Sequence, residues 1–499
     1  MKNAKKYVLI LAAVFLALGS LAPISERLDG DCFTVLVGKD ASADGSVMIG
    51  HNEDDRGDII VNLRKIKPRD YGAPQKVDLG RGAFHETDGL TNGFLWIEAT
   101  TQEFADSFVN EHGVVVTSDS CPSRIREGDL TDGGIGYMLR RLVAEKAKSA
   151  REAIKIGGTL IEKYGYRASG RTYSILDKNE AWMLAVLRGR HWAAQRVPDG
   201  EVAVIPNHFT IRRINLNDPD HFMASPGIVD YAVKNGWYDE AKDGPFDFKR
   251  VFERASNRET VMNGNTLRHW RGLNLLGETE RELSDDYPFS VKPGKKITVQ
   301  DLMAVLRDHY EGTEYDTTDG YKTGTPNRTK FRTICTTSTI NSFVISLDSE
   351  RPEPISVSIW LAMGKPDTTV FLPIYLGVEN LPPGAGLGSD THDYEILNKQ
   401  HFEDAEFKAA KDGLIHTRVL ELEKLAEANY GPMREELERD LFPVEKSFLE
   451  NAKTFEFEFA ALYPKDKKAA LNKLDSYVAA AFEKLTELTK KILARHSES

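Results

Sequence analysis

Residues 32–54 read Cys-Phe-Thr-Val-Leu-Val-Gly-Lys-Asp-Ala-Ser-Ala-Asp-Gly-Ser-Val-Met-Ile-Gly-His-Asn-Glu-Asp. Two apolar runs, 32–38 and 46–52, flank the turn-forming stretch 39–45, which predicts a hairpin of two buried strands. Centring the turn on Ala43 sets Gly38 against Met48, Thr34 against Asn52 and Cys32 against Asp54, and facing residues lie about 5 Å apart. Alternation puts Asn52 and Asp54 on one face and His51 and Glu53 on the other.

What precedes the hairpin gives Cys32 its interest. Lys2, Lys5 and Lys6 form a positive start, Tyr7 to Leu18 is almost wholly apolar, and Gly19, Ser20 and Ala22 are small. That is the pattern of a secretory signal peptide over residues 1–22, which leaves 23–31 as a short propeptide. The apolar run falls short of the ~20 residues that span a bilayer. A retained anchor is therefore the weaker reading, and so is a lipoprotein site at Cys32, because the charged Asp31 precedes it. The expected product is exported, periplasmic or secreted, with no membrane attachment after cleavage.

A cut between Asp31 and Cys32 would leave a thiol and a free α-amine on one residue. Their ordinary pKa values, about 8.5 and about 7.7–8.0, suit proton exchange near neutrality. The amine can take the thiol proton, the thiolate can attack an acyl carbon, and the ammonium can protonate the leaving amine. In the expected register Asp54 receives that ammonium, and backbone N–H groups with an Asn side chain stabilise the oxyanion. Two competing readings make Cys32 a small buried strand residue, or His51, Glu53, Asp54 and Asp55 metal ligands. Alternation divides those four between two faces, and neither metal nor cofactor is expected.

The formal charge of −11 argues against nucleic acid as a partner. Three cysteines, Cys32, Cys121 and Cys335, leave at least one free thiol; a Cys121–Cys335 bridge would spare Cys32. No two of them have zinc-ligand spacing. Further strands are expected at Phe94–Thr101, Ser107–Val109 and Val114–Thr117, then helices at Gly136–Lys146 and Ala150–Tyr164, with Ser149 as N-cap and Gly165 as stop. A second hairpin joins Thr172–Leu176 to Ala181–Leu187, and His191–Arg196 and Val202–Ile205 continue it. After a mixed stretch with a helix at Val299–His309 come strands at Arg332–Leu347, broken or bent, and Ile355–Ala362. Residues 32–392 form the main domain. From Asp393 to the end helix formers dominate, a helical extension offering a surface for a homo-oligomer. Hairpin connections favour antiparallel sheets with segregated helices, an α+β fold rather than a doubly wound one.

Cys32, the stretch Gly-Lys-Asp-Ala-Ser-Ala-Asp-Gly-Ser (38–46) and Gly-His-Asn-Glu-Asp (50–54) resemble the dipeptidase A family. These are cysteine peptidases of the N-terminal nucleophile (Ntn) hydrolase superfamily. Asn110-Glu-His-Gly-Val, Ser149-Ala-Arg-Glu-Ala, Glu180-Ala-Trp, His191-Trp-Ala-Ala, Val197-Pro-Asp-Gly-Glu-Val-Ala, Pro206-Asn207 and Arg328…Arg332 follow in the family's order. The resemblance implies an αββα sandwich of two stacked antiparallel sheets between helix layers, and an autoprocessed Cys32 acting on dipeptides or short peptides. From the related penicillin V acylases and bile-salt hydrolases it implies Asp54 as catalytic aspartate and Asn207 in the oxyanion hole. It makes Arg328 or Arg332 the active-site arginine, Arg332 being preferred. Asp119 or Ser120 would add a second oxyanion contact, and Asp119 with one of the two arginines would bind substrate. His51 and Ser118-Asp119-Ser120 depart from the acylase pattern. Acylase action on non-peptide amides is the alternative activity, and an exported binding protein on the same scaffold the alternative class.

Overall fold

The computed structural model describes residues 32–55, 59–254, 261–318, 325–327, 330–387, 391, 393–403 and 405–497. The expected leader and propeptide (1–31) and Arg328 lie outside the described residues. Two antiparallel sheets carry the fold. The first has the order β14 (Val202–Ile205), β1 (Phe33–Val37), β2 (Val47–Asp54), β16 (Thr339–Leu347), β17 (Val357–Ala362), β18 (Leu372–Tyr375). The second runs β15 (Phe222–Ala224), β13 (Trp192–Arg196), β12 (Ala181–Gly189), β11 (Tyr166–Leu176), β10 (Val115–Ser120), β9 (Ser107–Asn110), β8 (Phe94–Ala99), β3 (Val61–Ile66). Two small ribbons pair β4 (Arg69–Asp70) with β7 (Leu90–Thr91) and β5 (Gln75–Asp78) with β6 (Phe84–Thr87).

Strand alternation builds the layers. Along β12, Met183, Ala185 and Leu187 join the core shared with Leu36, Ile49 and Phe343 of the first sheet. Trp182, Leu184 and Val186 turn the other way, onto α1 (Met138–Lys146) and α2 (Ala150–Tyr164). α2 begins where Ser149 accepts from the Glu152 N–H and ends at Gly165, whose φ of 76° suits glycine. Short helices α3 (Ile228–Lys234), α4 (Glu240–Asp243) and α5 (Phe248–Phe252) precede α6 (Gly264–Leu276) and α7 (Val299–Leu306), which cover the outer face of the first sheet. Close approach there needs glycine: a Cβ at Gly272 of α6 would sit 3.0 Å from Phe33 Cζ. The result is the expected αββα sandwich.

The tail forms α8 (Tyr394–Phe402), α9 (Ala405–Ala409), α10 (Ile415–Ala428), α11 (Tyr430–Asp440), α12 (Phe442–Leu462) and α13 (Lys467–Ser497). Among the described residues no helix is long and apolar enough to cross a membrane.

Three expectations are corrected. The hairpin register is one residue away: Phe33 faces Asn52, Thr34 faces His51 and Val37 faces Met48, so Cys32 comes opposite Glu53 and not Asp54. Strand β14 leaves the second sheet and pairs with β1, Thr34 facing Ile205. A Pro-Asp-Gly turn at 198–200 makes that switch, and its carbonyls lie so close to Gly38 that a Cβ there would be 2.4 Å from Pro198 O. The strand expected from Arg332 begins only at Thr339, since the Cys335 N–H bonds to Asp308 O and that of Thr336 to Thr339 Oγ1, not to a neighbouring strand. Cys121 and Cys335, whose pairing the sequence left open, are both free and buried, with no bridge between them.

Candidate active site

The register places the nucleophile candidate. Cys32 and Glu53 point between the sheets, and the Cys32 Sγ–H donates to Glu53 Oε1 at 3.0 Å. Glu53 Oε2 lies 3.1 Å from His51 Nε2, His51 Nδ1 lies 2.7 Å from Thr34 Oγ1, and Thr34 Oγ1 donates to Asp119 Oδ2 at 2.7 Å. Thr34 spends its only proton on Asp119, so it must accept from His51 Nδ1–H. The neutral ring then offers a lone pair at Nε2, which Glu53 satisfies only as a protonated acid. The bonds therefore run with one polarity from sulfur to Asp119, and a coordinated shift of every proton gives the mirror arrangement.

Burial explains why these groups hold protons in this way. It pushes Glu53 up to about 7 against the opposing charges of Arg140 and Arg171. It pushes Asp119 up to about 6, with His51 and the Thr34 hydroxyl opposing, and it lowers His51 to about 4. The Cys32 thiol is driven well above its usual range by burial, then by the Glu53 and Asp119 charges. Such a thiol needs a base to become a nucleophile. Cys32, His51 and Glu53 also bring ligand atoms within 4.8 Å of one another, a donor set able to hold a soft metal ion.

A second arm reaches Cys32 through its backbone. Arg268, on α6, donates from Nη1 to Cys32 O at 3.0 Å and from Nη2 to Asn207 Oδ1 at 2.7 Å. Arginine has only donors, so the amide atom facing it is the oxygen. Asn207 Nδ2 then points away and donates to Ser120 O at 3.1 Å, leaving its other N–H for an oxyanion. Asn207 has a left-handed backbone, φ 69°, a conformation that costs energy and clusters at functional sites. The crossing of β14 between sheets delivers it beside β1.

Asp54 and Arg332 form a third group. Arg332 Nη2 is 2.7 Å from Asp54 Oδ2, and the Thr339 hydroxyl donates to Asp54 Oδ1 at 2.6 Å. Burial raises Asp54 to about 6, and the charges of Arg332 and Arg268 oppose the rise. The structure thus brings Cys32 together with Asn207, and Asp54 together with Arg332. Asp119 is linked to Cys32 through Thr34, His51 and Glu53, and Ser120 meets Asn207 through its carbonyl. The sequence offered Glu53 only as a metal ligand and missed Arg268. The one-residue register decided Glu53, and Arg268 lies in a stretch without motif signals.

The model of peptidase family C69 matches residues 31–402. A probable dipeptidase of Latilactobacillus sakei is 30% identical over 69% of this chain and 74% of its own length. Probable dipeptidase A of Streptococcus pyogenes serotype M18 is 30% identical over 70% of this chain and 76% of its own length. Among solved structures, penicillin V acylase from Agrobacterium tumefaciens aligns at TM-score 0.32 and 13% identity over 70% of this chain and 87% of that one. The matched span begins one residue before Cys32 and takes in both sheets and every polar group of the site. This chain belongs to peptidase family C69.

Proposed function

We propose that this peptidase is an exported cysteine dipeptidase, with Cys32 freed by self-cleavage as nucleophile and its own α-amine as general base. The observation that carries the reading is the 3.0 Å contact of Cys32 Sγ with the Glu53 carboxyl. In an unblocked peptide the α-ammonium lies about 2.5 Å from the first carbonyl carbon, by bond lengths and angle. A carboxyl group within reach of the attacking sulfur is therefore within reach of that ammonium, and Glu53, giving up its proton as the cation arrives, selects the free N-terminus. Penicillin V or bile-salt amides present no cation for it. Arg332, paired with Asp54, keeps 22% of its side chain exposed at the edge of the site, where a substrate carboxylate would meet its charge. The dipeptidase names of the relatives support the same substrate class.

In maturation the Cys32 thiol attacks the Asp31 carbonyl, the bond to the Cys32 nitrogen breaks, and water hydrolyses the resulting thioester. The freed amine then takes the thiol proton. Sulfur attacks the substrate carbonyl, the oxyanion is held by Asn207 Nδ2 and backbone N–H groups, and the ammonium protonates the departing amine. Asp54 balances the ammonium, and its ion pair with Arg332 moderates that grip.

The test compares an unblocked dipeptide, its N-acetyl derivative and a phenoxyacetyl amide, with N-terminal sequencing of the active protein. Turnover confined to the unblocked dipeptide by a protein beginning at Cys32 is expected. Equal turnover of the acetylated peptide, or full activity with the bond to Asp31 intact, overturns the reading.

A further inference from the structure

The loop that carries Arg332 enters a second buried polar cluster, none of whose side chains serves the chemistry above. His309, Asn327, Cys335 and Asp367 bring together a ring nitrogen, an amide oxygen, a thiol and a carboxylate, and none exceeds 4% exposure. The ligand atoms of His309, Cys335 and Asp367 all lie within 4.8 Å of one another. His309 Nε2 is 3.6 Å from Asp367 Oδ2 and 3.1 Å from Asn327 Oδ1, and Cys335 Sγ is 3.6 Å from Asn327 Oδ1. Zinc bonds of about 2.0–2.2 Å to nitrogen and oxygen and about 2.3 Å to sulfur imply tetrahedron edges of about 3.3–3.8 Å. The separations fall around those edges.

Three further observations favour a cation. Asp367 Oδ1 is buried with no hydrogen-bond partner among the described residues, an acceptor that is costly to leave unmet. His309 Nδ1 is 3.2 Å from Glu311 Oε1, the carboxylate support that metal-binding imidazoles usually have, and the Tyr430 hydroxyl donates to Asp367 Oδ2 at 3.0 Å. A cavity of about 370 Å³ between α7 and the C-terminal helices reaches Glu311 and Asp367, giving an ion a route inward.

We propose that His309 Nε2, Cys335 Sγ and Asp367, completed by Asn327 Oδ1 or water, bind Zn²⁺ and fasten the Arg332 loop to α7 and the C-terminal helices. Zinc uptake displaces the Cys335 thiol proton and any proton on His309 Nε2. A nitrogen, sulfur and oxygen donor set selects zinc over calcium or magnesium. A search for paired cysteines could not find this site, because its ligands come from three separate loops.

The test must separate this cluster from Cys32, His51 and Glu53. Metal-stripped full-length protein is titrated with Zn²⁺ and Co²⁺ alone, as wild type, Cys32→Ser and Cys335→Ser. One equivalent should bind, and Co²⁺ should give a thiolate charge-transfer band in wild type and Cys32→Ser. Cys335→Ser should lose the band and bind zinc about 100-fold or more weakly. Should Cys335→Ser fold poorly, X-ray absorption of zinc-loaded Cys32→Ser decides, with one sulfur expected at about 2.3 Å from zinc. Absence of stoichiometric binding, a zinc without sulfur in Cys32→Ser, or a band lost with Cys32 and kept without Cys335 overturns the proposal.

Discussion

At Cys32 burial, then the neighbouring Glu53 and Asp119, keep the thiol protonated, so on the proposed mechanism activity depends on what removes that proton. Cys32→Ser should lower dipeptide turnover by at least about 100-fold, since a hydroxyl is far harder to ionise, and mass spectrometry should find residues 23–31 still attached. Glu53→Gln keeps the shape of the side chain but removes the charge offered to a substrate ammonium. A charge-assisted hydrogen bond contributes about 1.5–3 kcal/mol, so KM for unblocked dipeptides should rise about 10–100-fold. Arg268 holds both Cys32 O and Asn207 Oδ1 with one planar fork. Arg268→Lys cannot reproduce the fork, and the misplaced amide should lower kcat by about 100-fold.

Among the elements, the β1–β2 hairpin and α6 decide the site together. Alternation alone separates His51 and Glu53 from Asn52 and Asp54, and the structure keeps that division. Asn52 Nδ2 turns outward to Leu306 O and Ile334 O at 2.9 Å each, while Glu53 turns inward. Which face Cys32 shares is a matter of register, and register is set by the tight docking of Gly38 against the 198–200 turn, far along the chain. Helix α6 reaches β1 only because Gly272 leaves room for Phe33 and Val204. Gly272→Leu should destabilise the protein by about 1–3 kcal/mol through overpacking. It should also cost activity in the folded fraction, because α6 carries Arg268; thermal melting and steady-state kinetics on one preparation check both.

For the whole molecule, the helical tail completes the main core. Val419, Leu422, Phe459 and Phe482 belong to the same apolar cluster as Val35 and Ile345. Arg307 is held by Glu445 at 2.7 Å, and Lys365 by Glu423 at 3.0 Å. Truncation after Phe402, where the family match ends, should give insoluble protein. The buried acids also make stability depend on pH. Glu53 and Asp119 have folded values raised to about 7 and about 6, so between about pH 4.5 and 7 the folded state holds protons that the unfolded chain has released. Stability from these groups is full below their unfolded values and is lost as pH rises through the folded ones. In the uncut Cys32→Ala protein the melting temperature should fall more steeply with rising pH than in Cys32→Ala with Glu53→Gln.

The sequence by itself determined the local elements: the first hairpin, the Ser149-capped helix, the α+β class and the family. These rest on alternation, capping and turn chemistry between near neighbours in the chain. Tertiary structure alone decided that Glu53 rather than Asp54 meets the Cys32 thiol, that Arg268 bridges Cys32 to Asn207, and that β14 crosses between sheets. Each of those depends on contacts between segments tens to hundreds of residues apart. A one-residue slip there costs no local propensity, yet it exchanges the two faces of a strand.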